Sequence, residues 1–139
     1  MNMQYWKDPS GEVHGIDASD PAQLAVLANL KAEQAGTWTD ITGNWPPAPT
    51  QAEQLATLEG AVQQYIDGKA QAKGYDSAAS CISYLNSTNA TWKSDATAMN
   101  TWRDAVWGFC FTNEASVKAG TTPMPTAAEL MAALPSAPW

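Results

Sequence analysis

At 139 residues, with a net charge of −7 and a pI near 4.4, the chain has the size of one domain, or of a domain with a small appendage. An acidic surface repels phosphate backbones, which argues against a nucleic-acid partner. No run approaches the roughly 18 consecutive apolar residues of a membrane span, and two cysteines with a single histidine do not make a zinc site.

In chain order, Met1–Trp6 has neither a basic flank nor an apolar stretch, so it does not read as a secretory signal, and the chain is expected to act where it is made. Met3–Trp6 reads as a short strand and Lys7–Gly11 as a turn, because Pro9 sets φ and Gly11 admits positive φ. Glu12–Ile16 is the candidate return strand of a hairpin. Asp20 and Pro21 open a helix as N-cap and first helical residue; Leu24, Leu27 and Leu30 mark its apolar face, and Gly36 ends it. Thr37–Ile41 is β-prone and predicts a third strand.

Asn44–Pro49 holds three prolines in four residues, an extended connection that no helix continues through. The domain boundary is placed there: residues 1–45 form a small hairpin-plus-helix segment, 46–50 a linker and 51–139 a helical bundle. Thr50 and Glu53 predict a capping box for a helix through Leu55, Leu58, Val62, Tyr65 and Ile66 that stops at Gly74. Asp76 or Ser77 caps a short helix with Ala78, Cys81, Ile82 and Leu85. Asn86–Asn89 then starts a long helix with the face Trp92, Ala96, Met99, Arg103, Val106 and Cys110, ending at Gly120. Thr126 and Glu129 repeat the capping box before a last helix through Leu130, Met131 and Leu134. The expected fold is therefore mainly α with a small N-terminal β segment (α+β) and a C-terminal bundle of three to four helices.

Candidate chemistry is sparse. His14 lies in the hairpin with no nucleophile elbow nearby, and the glycines do not form a phosphate loop. Asp67, Asp76, Asp95, Asp104 and Glu114 could pair as acid and base, but the plainer reading is solvated helix surface and caps. No catalytic residue, cofactor or metal is expected. Cys81 and Cys110 read as buried thiols, with a disulfide as the lesser alternative.

The seven tryptophans carry the main signal. Trp92, Trp102 and Trp107, with Met99 and Val106, are expected in the bundle core, where large rings fill space. Trp6, Trp38, Trp45 and Trp139 fall in the strands, the linker and the C-terminal tail. They are the candidate partner-binding residues, because aromatic side chains are enriched in interfaces. Trp139 must either dock on its own fold or engage a partner. The Arg103 stem could lie along an aromatic face with its guanidinium on Asp104; the plainer reading is an edge salt bridge.

Tyr65-Ile66-Asp67, Lys73-Gly74-Tyr75-Asp76-Ser77 and Trp102-Arg103-Asp104-Ala105-Val106-Trp107 together resemble a helical domain of bacteriophage tail proteins, among them tail-fibre assembly proteins. Tyr5-Trp6 with Asp8–Asp17, the Trp45–Pro49 linker and Leu134–Trp139 are in the same style. The resemblance covers roughly residues 60–135, and residues 3–50 more loosely. It implies no enzyme and no cofactor. It implies a fibre-assembly chaperone in the host cytoplasm, or alternatively a structural component retained in the virion tail. The partner it implies is a tail-fibre or other tail protein, and a small homo-oligomer is compatible with it. A host-directed inhibitor and a cell-wall hydrolase rank below both.

Overall fold

The computed structural model describes all residues from Met1 to Trp139, which fall into two compact units, Met1–Pro49 and Thr50–Trp139. The chain is mainly α-helical with a small antiparallel sheet near its N-terminus. No helix is long and apolar enough to cross a membrane.

The first unit holds β1 (Met3–Lys7), β2 (Val13–Asp17), helix α1 (Pro21–Glu33) and β3 (Thr39–Asp40). Strand β1 is central, in the order β2-β1-β3, with Trp6 opposite His14 on one side and Asp40 on the other. Side chains alternate across a strand, so Gln4, Trp6, His14 and Ile16 share one face, and Met3, Tyr5 and Gly15 the other. Asp20 caps α1 by accepting from the Ala22 amide, with Pro21 in the first turn. Of the three leucines expected to face inward, Leu27 is buried, whereas Leu24 is exposed. The inner face runs instead through Leu27, Leu30 and Lys31, because a sheet of five-residue strands covers little more than one side of two helical turns. Gly36 sits at φ +138° with Pro9 only 2.6 Å from where a Cβ would stand, so both conformation and space require glycine.

The second unit holds α2 (Gln51–Ala72), α3 (Ala78–Ile82), α4 (Ala90–Lys118) and α5 (Ala127–Ala133), with a 3₁₀ turn at Ser83–Asn86. Both capping boxes form, at Thr50/Glu53 and Thr126/Glu129. Helix α2 ends in a Schellman motif: the Tyr75 amide donates to the Ala70 carbonyl, and Gly74, at φ +98°, donates to Gln71. Ser77 caps α3, and Asp67 on α2 reaches across to the Ala78 amide at 2.9 Å. The Gln51 side chain lies near the Val117 carbonyl, and Lys73 near Asp95, so α2 and α4 run antiparallel. The core is Leu58, Val62, Ile66 and Ala70 of α2, Cys81 of α3, Met99, Trp102 and Val106 of α4, and Leu130 of α5.

Candidate functional site

The seven tryptophans divide differently from the sequence expectation. Trp102, Met99 and Val106 are buried as expected, and the Trp102 indole donates to the Pro135 carbonyl at 2.8 Å, tying the tail to α4. Trp107 is half-buried against the core. Trp92, expected in the core, is 48% exposed. It lies one turn before the buried Ala96 on the same stripe, at the start of the 29-residue α4, and packs there on Tyr84 of the 3₁₀ turn at 5.3 Å.

Trp139, a candidate for partner contact, is turned onto its own unit. Its indole donates to the Lys69 carbonyl at 2.9 Å, and Lys73 Nζ lies 5.0 Å from its ring centroid. The Lys73 amide bonds to Ala70 and Gln71 rather than to Lys69, so Trp139 supplies the donor that the last turn of α2 leaves Lys69 without.

In the first unit, Trp6 and Trp38 are half-buried between sheet and α1. Lys31 Nζ stands 3.1 Å over the Trp6 centroid, a cation–π contact that fixes α1 on the sheet. Trp38 lies 5.2 Å from His14, and its indole N–H is buried without an acceptor. Trp45 is 38% exposed; with Tyr5, 5.9 Å away, it forms an aromatic platform on the opposite sheet face. Tyr5 lies over Gly15, where a Cβ would come within 3.0 Å of its ring.

Asp8 is the buried charged residue of that unit. Its Oδ1 accepts from the Ser10 amide and hydroxyl and from the Glu12 amide, while Oδ2 stands 3.1 Å from His14 Nε2. The Ser10 hydroxyl bond leads the effects that hold its carboxyl far below the usual range; desolvation opposes them, and the His14, Glu12 and Ser10-amide bonds add to the lowering. Ligand atoms of Asp8, Glu12 and His14 lie within 4.8 Å of one another, the one cluster with the composition to hold a cation. The Asp8 oxygens already accept these four bonds, however, so the geometry is that of a turn staple.

Four of the five carboxylates weighed for acid–base chemistry, all but Asp76, are engaged locally. Asp67 caps α3, Asp95 accepts from the Tyr75 hydroxyl at 3.0 Å and faces Lys73 at 3.4 Å, and Glu114 pairs with Lys118 one turn on. Arg103 bonds Asn100 and Asp104, the edge salt bridge. Burial foremost, then Asp95, push the Tyr75 hydroxyl up to about 12. Cys81 and Cys110 are free thiols, Cys81 buried and Cys110 half-buried.

Two aromatic surfaces escaped the sequence reading. Tyr75, Tyr84 and Trp92 form a ladder with steps of 5.9 and 5.3 Å. Trp107 and Phe111, one turn apart on α4, stack at 6.1 Å beside a groove shared with α2, and Phe111 is 61% exposed. The i, i+4 spacing of Trp107 and Phe111 was visible, but not that α2 leaves their outer faces uncovered. Comparison with protein-family models, with curated proteins and with solved structures gives no match.

Proposed function

We propose that this chain is a non-enzymatic protein of bacteriophage tail-fibre assembly that binds the fibre protein through exposed aromatic side chains. The observation that carries the reading is the exposure of Trp45, Tyr84, Trp92 and Phe111 in a chain whose other large rings are packed or bonded. Rings of this size left in water favour association, because each removes a large apolar area when covered. The motifs behind the resemblance support the reading from the side of the fold. Gly74 and Ser77 set the α2–α3 corner, Tyr75 bonds Asp95, and Trp102 holds Pro135. These motifs thus specify the helical unit and leave the exposed rings free for a partner.

Co-expression with the fibre protein of the same genome is the test. Soluble fibre trimer is expected to rise several-fold with the chain present. A fibre that trimerises equally well alone would sink the reading. Detection of the chain in purified virions would favour the structural-component alternative over a transient chaperone.

A further inference from the structure

The groove between α2 and α4 has a shape and a charge that define what it can hold. Leu58 and Val62 of α2 form one side, and Trp107 and Phe111 of α4 the other, with the Cys110 thiol between them. Taken with the adjoining hollow that shares Glu59, Trp107 and Phe111, the α4 side extends from Asp104 to Glu114, about 15 Å along the surface at the α-helical rise of about 1.5 Å per residue. The rim is acidic. Glu59 stands on the α2 side and makes no ion pair; Asp104 and Glu114 stand on the α4 side. Arg103 offsets Asp104 and Lys118 offsets Glu114, with Lys118 also drawn by Glu59, so three carboxylates against two cations leave the rim with a net negative charge. The Cys110 thiol, pushed up by burial and secondarily by Glu59, reports the same local field.

We propose that this groove seats an amphipathic helix of the partner protein, apolar on one face and flanked by lysine or arginine. Helix-in-groove recognition uses anchors at i, i+3/i+4 and i+7, for which the exposed Phe111 and half-buried Trp107, one turn apart, offer the apolar surface. A second copy of this chain is disfavoured, because it would bring acid to acid between molecules of charge −7. The proposal deepens the assembly reading above and rests on it for the partner's identity.

The test uses the full chain with ¹⁵N-labelled indoles and two probes, a helical Leu/Lys peptide and its Leu/Glu counterpart. The Leu/Lys peptide should shift the Trp107 indole resonance and bind at least about tenfold tighter than the Leu/Glu peptide. Glu59→Lys with Glu114→Lys should reverse that order, Phe111→Ser should weaken binding by about tenfold or more, and Trp92→Ser should leave it unchanged. Binding that leaves Trp107 unmoved, that ignores the charge reversal, or that survives Phe111→Ser would overturn the proposal. So would a wild-type dimer that Phe111→Ser dissociates, which would make a second copy the occupant. Co-expression separates the two claims. If the Phe111→Ser chain still raises soluble fibre, the groove is not the docking site and the assembly reading stands. If the wild-type chain has no effect on the fibre, the assembly reading falls whatever the peptides do.

Discussion

Trp92 and Trp102, ten positions apart on α4, show how little a residue's identity says about its role. The Trp102 ring is buried and its N–H is answered by Pro135; the Trp92 ring lies on Tyr84 in solvent. Trp102→Phe should cost about 2–3 kcal/mol, since it removes buried ring and leaves a carbonyl without its donor. Trp92→Ser should change stability by less than about 0.5 kcal/mol. Denaturant unfolding of the two variants checks both. Asp8 gives a pH signature. Its folded-state pKa lies below its ordinary value of 3.8, so its contribution to stability is present above that value and is lost as pH falls below it. Asp8→Asn should therefore lower stability near neutrality and flatten its fall below about pH 4. Tyr75 has the opposite sign. Raised from 10.0 to about 12, its neutral form stabilises the fold at lower pH, and that contribution is lost as pH rises from 10.0 through about 12. In an ultraviolet alkaline titration Tyr75 should ionise late, and Tyr75→Phe should remove that step.

Elements were legible where their signals are local. Asp20-Pro21, Thr50/Glu53 and Thr126/Glu129 each place a donor and an acceptor within four residues, so the helix starts could be read directly. What lay beyond reach depended on distant partners. The acceptor of the Trp139 indole is 70 positions away, and the contact of Asp8 with His14 follows from the strand register rather than from either residue. Trp92 was misplaced because a 3.6-residue period gives the direction of a stripe and not the length of what covers it. Two consequences belong to this scale. Gly36→Ala should destabilise the first unit by roughly 2–3 kcal/mol, whereas Gly68→Ala, exposed inside α2 with open space at its Cβ, should stabilise the second by about 1 kcal/mol. Thermal melts of the two variants should move in opposite directions. Trp139→Ala should cost about 2–3 kcal/mol by uncapping Lys69, a loss visible as faster hydrogen exchange in the last turn of α2.

For the whole molecule, caps and apolar spacing pointed to the helical class, composition to the acidic balance, and the proline run marked where one unit ends and the next begins. The candidate site was less legible, because exposure is a property of packing. Phe111 and Trp107 share a helix face with core residues, and only the course of α2 past α4 decides that Phe111 remains open. With acid on both sides of that opening, association with a basic helical probe should weaken as ionic strength rises, through screening of the rim charges, while the apolar contribution persists.

The two thiols have a use independent of any partner. Cys81 is fully enclosed among α2, α3 and α4, whereas Cys110 lines the groove beside Phe111. An alkylating reagent should therefore modify Cys110 in the native protein, slowly because burial keeps it protonated, and should reach Cys81 only when the helical unit opens. The ratio of the two modification rates gives a built-in clock. Cys110 times access to the groove, Cys81 times unfolding, and any molecule that slows the first without the second has covered that opening.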